Sequence, residues 1–171
     1  MEKVVLSANY PAISKSEQEI IDGSRVAVFG CGEAGGLAAE LFVRMGVKHV
    51  TLVDKKTISE KDRSGCLYAN AGNVGKKRVY ELSDRIKSID DKVEVRCWDT
   101  RAIMGYFENI VRSNDLIYFA DEDDALEDAV ISACEKESVK YVTEDTAEMP
   151  LYQVMIKVSG SVNEAVEKLI G

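Results

Sequence analysis

Three glycines, Gly30, Gly32 and Gly35, follow an apolar run and spell GxGxxG within VAVFGCGEAGG. At that spacing, after a strand and at the opening of a helix, glycines let the backbone turn sharply and bring N–H groups and the positive helix end against a phosphate. Glu33 lies in the same loop. Asp54 stands 24 residues after Gly30, where a carboxylate closing the next strand can accept hydrogen bonds from ribose hydroxyls. Nucleotide binding is the chemistry these residues favour. The alternative is a glycine-rich packing turn beside a strand-end carboxylate.

The segment after Asp54 bears on which nucleotide is held. A dinucleotide site normally runs from the acidic residue into another compact crossover, whereas here the segment to Asn73 lacks periodicity and is rich in Lys, Ser, Gly and Asn. Loops of that length inside a compact domain are uncommon and usually functional. This one carries Lys55, Lys56, Lys61 and Arg63, and Lys76, Lys77 and Arg78 open the helix that follows. Several cations beginning near the ribose site favour a triphosphate, and so ATP over NAD. The alternative is a solvated basic loop. Further along, the acids of DEDD, Asp121 to Asp124, follow a strand at a helix start, where acids stabilise the helix dipole.

Periodicity supplies the elements that must position these groups. Ser14 and Glu17 fit a capping box on a short helix to Asp22, Arg25 to Gly30 reads as a strand, and Leu37, Leu41 and Met45 recur at helical spacing before a second strand, His49 to Val53. Helices are expected around Val79 to Ile89, Ile103 to Ile110 and Asp124 to Glu137. Strands are expected at Val93 to Cys97, Leu116 to Ala120 and Tyr141 to Thr143. The alternation from Tyr152 to Val158 reads as a closing strand, and Ser161 with Glu164 as the capping box of a last helix. Strands alternating with helices imply an α/β fold, Rossmann-like and doubly wound, with a mainly parallel sheet and helices on both faces. A single domain is expected, with an extension and leading helix in residues 1–24, a core over 25–143 and a closing strand and helix over 151–171.

The chain has 171 residues, 46% hydrophobic and 30% charged, with a formal net charge of −8. This composition is that of a globular protein, and the charge argues against a nucleic-acid partner held by bulk electrostatics. No stretch reaches the length that spans a bilayer, and no leader is evident, so the expectation is a cytoplasmic protein without membrane attachment. The four cysteines, Cys31, Cys66, Cys97 and Cys134, form no CxxC pair. Neither a zinc ribbon nor a disulfide framework follows. His49, on the second strand, reads as structural, and Cys31 as a packing residue.

The order of these features resembles the ThiF/MoeB/HesA family, adenylating proteins related to ubiquitin-activating enzymes. SEQEIIDGSRVAVFGCGEAGG is similar to the family's leading helix and phosphate loop, GVKHVTLVDKKTI to its second strand, NVGKKRV to its GxxKV helix start, and NDLIYFADEDD to the strand ending in a metal-binding TDN. The resemblance implies ATP-dependent activation of a carboxylate as an acyl-adenylate, with Mg²⁺, in a homodimer. On that pattern Gly30, Gly32, Glu33, Gly35, Asp54, Lys56, Arg63, Lys77 and Arg78 hold the nucleotide, and the metal carboxylate falls on Glu122.

Several positions depart from the family pattern. Its DxD becomes Asp54 and Lys56, its phosphate-facing arginine falls on Gly65, and its helix-start lysine falls on Arg78. The N-terminal RYxRQ, which supplies an arginine across the dimer, reads Asn9, Tyr10, Pro11, Ala12 and Ile13. Arg63 and Arg78, with Lys56 and Lys77, are the candidate replacement cations, the two arginines serving catalysis. No cysteine lies in the crossover after TEDTAE, so a thioester step is not expected. The short ending favours a small-molecule carboxylate over a protein tail. It is similar to the compact HcgE-like branch, which activates a pyridinol carboxylate in iron guanylylpyridinol cofactor biosynthesis. A downstream acceptor protein is compatible with this reading. The alternatives are a catalytically silent nucleotide-binding subunit and an NAD-linked oxidoreductase.

Overall fold

A computed structural model describes residues 13–99, 106–146 and 149–171. Ser14 caps α1 (Lys15–Gly23) through the reciprocal contacts its sequence announces: its hydroxyl accepts from the Glu17 amide, and the Glu17 carboxylate accepts from the Ser14 amide at 2.7 Å. Then follow β1 (Arg25–Phe29), α2 (Glu33–Met45) and β2 (His49–Val53). Gly46 ends α2 in the left-handed region, φ 114°, as a helix C-terminus favours. The remaining elements are α3 (Arg78–Ile89), β3 (Glu94–Trp98), α4 (Phe107–Arg112), β4 (Leu116–Phe119), α5 (Asp124–Glu137), β5 (Lys140–Thr143) and α6 (Leu151–Ile170).

The five strands are all parallel, in the order β3-β2-β1-β4-β5. Alternation along each strand separates two cores. Val26 and Val28 of β1, Leu52 of β2 and Tyr118 of β4 face a layer built from α1, α2, α3 and α6, whereas Ala27, Phe29, Val53, Ile117 and Phe119 face α4 and α5. Parallel strands are buried on both faces, which is why β1 and β4 read as continuous apolar runs. Phe29 and Phe119, paired in register, stack with ring centroids 5.9 Å apart. The chain winds outward from β1 through β2 to β3 and then returns to place β4 on the other side of β1. That reversal opens a crevice at the carboxyl ends of β1 and β4, the place where doubly wound sheets bind ligands.

Two expectations require correction. The alternating run from Tyr152 to Val158 is not a strand but the first half of the 20-residue α6. Its buried residues, Val154, Val158, Val162, Ala165, Val166 and Leu169, fall at helical spacing through the whole element and pack on α2 and α1. Tertiary burial of that stripe overrides the β-preference of its valines. Ser161 is accordingly no cap: within α6 its hydroxyl contacts Tyr118 Oη at 2.7 Å and donates to the Glu144 carboxylate, which also pairs with Lys157 at 3.0 Å. Residues 54–77 also hold more order than a structureless loop. A 3-10 turn, Lys61–Ser64, forms there, and Thr57 and Lys77 make an antiparallel bridge. The expected Ile103 contact and the RYxRQ-like stretch Asn9 to Ala12 lie outside the described residues. Among the described residues no helix is long and apolar enough to cross a membrane.

Exposed Ser138 closes α5 at φ 57°, a left-handed conformation that costs a residue with a Cβ. We expect Ser138→Gly to stabilise the protein by about 0.5–1 kcal/mol, read as a raised urea midpoint at unchanged slope.

Candidate nucleotide-binding site

The glycine loop is shaped by two close backbone approaches. Gly30 has φ 82°, and a Cβ there would lie 2.5 Å from the carbonyl oxygen of Ala120 at the end of β4. A Cβ on Gly35 would lie 1.7 Å from the carbonyl oxygen of Gly30, so α2 can rise from the loop only with glycine at this position. Gly32 differs. It is the N-cap of α2, no side chain caps that helix start, and the nearest atom to an added Cβ is Arg78 Nη1 at 3.5 Å. The start of α2 therefore presents free N–H groups and a positive end toward the Arg78 guanidinium.

Asp54 fixes this arrangement from below. Its side chain is 1% exposed; Oδ2 accepts from the Cys31 amide at 2.8 Å and Oδ1 from the Lys56 amide at 2.7 Å. Arg78 adds a longer contact, Nη1 to Asp54 Oδ2 at 3.4 Å, and Nη2 donates to Asp62 Oδ1 at 2.7 Å. Arg78 Nε is buried without a hydrogen-bond partner among the described residues. Burial opposes the Asp62 charge, but the Arg78 hydrogen bond and the Ser59 amide outweigh it and hold its carboxyl below the usual range. Burial likewise disfavours charge on Arg78, yet Asp62 and Asp54 together keep its guanidinium more firmly protonated than usual.

Beside this centre a cleft of about 710 Å³ is lined by Lys55, Lys56, Thr57, Ser59, Lys77, Arg78 and Asp99. Lys56 Nζ reaches Glu122 at 3.1 Å and Lys55 Nζ reaches Asp123 at 3.4 Å, so ion pairs tie the end of β2 to the end of β4. Lys77 Nζ donates to the Lys55 and Asp99 carbonyls. Above the loop, the Tyr68 hydroxyl donates to the Cys31 carbonyl.

A family model described as the ThiF family matches residues 6–163. The chain belongs to the ThiF family. It is similar to the tRNA threonylcarbamoyladenosine dehydratase of Bacillus subtilis (strain 168), 37% identical over 89 residues, or 52% of this chain and 35% of that relative. It thus spans about a third of that relative's length. Among solved structures, the E. coli dehydratase TcdA superposes with TM-score 0.88 at 14% identity, covering 97% of this chain and 94% of that one. TcdA in complex with ATP gives 0.76 at 19% identity over 81% and 57% of the two chains. These likenesses establish the ThiF-type Rossmann-like fold.

Within that family fold the structure brings Gly30, Gly32, Gly35, Asp54 and Arg78 into one centre, with Lys56 and Lys77 on the adjoining cleft. Glu33 opens α2, its carboxylate 2.7 Å from where a Cβ on Gly65 would stand. The position that aligns with the family's phosphate-facing arginine therefore abuts an acid. Asp54 has both oxygens on inward partners, the geometry of a strut between the loop and the end of β2. Arg63 lies outside the cleft lining, exposed and held by Glu60 at 2.7 Å. Glu122 is 86% exposed and faces Lys56. Among the described residues no three His, Cys, Asp or Glu side chains converge to hold a metal.

Four acids and an aromatic ring carry parts of this site that sequence reasoning did not single out. Asp62 and Asp99 sit in stretches without periodicity, so no spacing relates them to Arg78 or Lys77. Asp121, beside Glu122, is raised above the usual carboxylate range, first by burial and then by Asp54, with Lys56 and Lys55 opposing. Asp123 was legible only as one of DEDD, although its side chain caps α5 through the Leu126 amide. Tyr68 gave no signal. The cysteines are poor nucleophiles here: burial pushes Cys31 well above the usual thiol range, Cys66 up to about 12 and Cys134 up to about 11.

Two measurements check this geometry. Gly35→Ala should cost at least about 3 kcal/mol because its methyl meets backbone, whereas Gly32→Ala should cost less than about 1 kcal/mol because its methyl meets only the Arg78 side chain at ordinary contact distance. Equilibrium urea unfolding distinguishes them. Because the folded Asp62 carboxyl titrates lower than the unfolded one, its contribution is present above about pH 4 and is lost as pH falls through the folded value. Amide exchange over residues 59–66 should therefore rise selectively on acidification below about pH 4.

Proposed function

We propose that the protein is an ATP-dependent adenylyltransferase that activates a small-molecule carboxylate, in the manner of its family, and works as a homodimer. One observation carries the reading: the start of α2, which no side chain of the described residues caps, faces the half-buried Arg78 guanidinium, with Nη1 3.5 Å from where a Cβ on Gly32 would stand. A phosphate oxygen between Gly32 and Arg78 would meet the open amides of the helix start and the Nη1 side of the guanidinium. TcdA, crystallised with ATP, supports the choice of nucleotide.

ATP supplies an electrophilic α-phosphorus and pyrophosphate as leaving group. The chain's contribution is positioning and charge. The loop amides hold one end of the polyphosphate and Arg78 offsets its charge, while Lys55, Lys56 and Lys77 line the adjoining cleft. Substrate carboxylate oxygen bonds to the α-phosphorus as the bond to pyrophosphate breaks. Glu122 and Asp121, at the end of β4, are the carboxylates that would hold Mg²⁺, which would offset charge on the phosphate oxygens. Asp99 and Ser59 line the cleft where ribose hydroxyls need acceptors, the part that buried Asp54 leaves open. Pathway placement in cofactor biosynthesis, or a later transfer to an acceptor protein, remains compatible with this chemistry.

A second reading has a specific observation in its favour. Gly65 supplies no arginine, and Arg78 already faces two carboxylates, so several phosphate contacts are missing or occupied. Loss of one well-placed donor costs about 3–4 kcal/mol of transition-state stabilisation. A nucleotide-binding family member without turnover is the consequence if nothing compensates.

Calorimetry with ATP, ADP and NAD, with and without Mg²⁺, tests the first reading. We expect ATP to bind, more tightly with Mg²⁺, and Gly32→Ala to weaken it at least tenfold while stability is retained. Preference for NAD refutes the proposal. Pyrophosphate exchange against a panel of carboxylates then separates the enzyme from the silent subunit.

A further inference from the structure

Arg78 is the cation nearest the glycine loop, yet it is over-neutralised. Two carboxylates, Asp54 and Asp62, share one guanidinium, and Glu33 stands close by at the start of α2. The trio of Arg78, Asp54 and Asp62 carries one negative charge in excess. A polyphosphate approaching it meets repulsion unless one carboxylate leaves.

The two carboxylates are held very differently. Asp54 is 1% exposed at the end of a central strand and anchors the Cys31 and Lys56 amides. Its departure would dismantle the glycine loop. Asp62 sits on a four-residue 3-10 turn with no buried residue. Apart from Arg78, its side chain is held by the amide and hydroxyl of Ser59, two residues before that turn. The side chain can therefore leave Arg78 while the turn keeps its backbone hydrogen bonds, Gly65 N–H and Cys66 N–H to the Asp62 carbonyl.

We propose that Asp62 is an internal stand-in for the ligand's phosphate: it occupies Arg78 in the free protein and is displaced when a polyphosphate binds, so that it sets affinity at this site. The inference rests on the nucleotide reading above for the identity of the natural ligand, but the exchange of anions on Arg78 is separable from adenosine. Asp62 remains ionised at neutral pH because Arg78 favours its charged form. Its displacement is consequently a competition between two anions for one cation. The Arg78 Nε, without a partner among the described residues, is the donor Asp62 leaves unused. A tetrahedral phosphate can engage it together with Nη2 in the paired geometry guanidinium favours.

The test uses Asp62→Asn, which keeps an oxygen for the Ser59 amide and removes the charge, and Asp62→Ser, a second turn-compatible residue. Inorganic tripolyphosphate and ATP are titrated at low ionic strength into the wild type, each variant, and Asp62→Asn combined with Arg78→Gln. We expect both single variants to bind tripolyphosphate and ATP at least tenfold more tightly than the wild type, and the double variant to lose that gain. Tripolyphosphate should also raise exchange of the Ser59 amide in the wild type, because the Asp62 carboxylate that holds it leaves. Equal or weaker binding by the variants overturns the exchange. If tripolyphosphate shows the gain and ATP binds none of the proteins, the exchange stands and the ATP reading falls. If ATP binds without any gain in the variants, the reverse holds. If neither anion binds any of them, both are overturned.

Discussion

A buried carboxylate with two backbone amides on it organises the centre of this protein. Asp54 receives the Cys31 amide from the glycine loop and the Lys56 amide from the start of the following segment, while Arg78 from α3 approaches the same oxygen. An isolated buried charge is prohibitively costly, and it is tolerated here because oriented N–H groups and a guanidinium replace its water. Three parts of the chain thereby meet at one point. The loop's shape, the course of the chain after β2 and the position of α3 are consequences of that meeting, and the start of α2 lies beside the Arg78 guanidinium.

The same constraint explains the unusual charge distribution. A carboxylate spent as a strut is unavailable to ribose, so sugar recognition passes in our reading to acceptors on the cleft, Asp99 and Ser59. Its charge also consumes part of Arg78, and Asp62 takes another part. Meanwhile the lysines after Asp54 are not free in solution: Lys55 and Lys56 bridge to Asp123 and Glu122 across the mouth of the crevice. Exposed pairs of this kind contribute little to stability. Their effect is to place cation and carboxylate side by side where a polyphosphate and its metal ion would meet protein.

Much of the fold was legible because its elements are locally consistent. The Ser14–Glu17 box, the glycines before α2, Gly46 after it and the apolar run of β1 each specify the same answer at several levels. The run from Tyr152 to Val158 was misread for an equally physical reason. Its apolar residues Tyr152, Val154, Ile156 and Val158 alternate closely enough to suggest a strand, and only the surfaces of α2 and α1 select the helical stripe Val154, Val158, Val162 that they bury. Ser161 looked like a cap by its spacing to Glu164 and proved to be the polar contact that joins α6 to Tyr118 and Glu144.

By itself the sequence determined that a glycine loop stands between a buried strand and a helix, since glycine spacing and periodicity are local properties that follow from backbone sterics and burial. It also determined which cations were available. Tertiary structure alone decided how they are used: that Arg78 faces Gly32, that Arg63 turns to Glu60, and that Asp62 reaches Arg78 across sixteen residues of non-periodic chain. Pairings of that sort depend on where a turn without hydrophobic pattern comes to rest. Electrostatics between distant segments fixes them, and such contacts leave no mark in the spacing of residues.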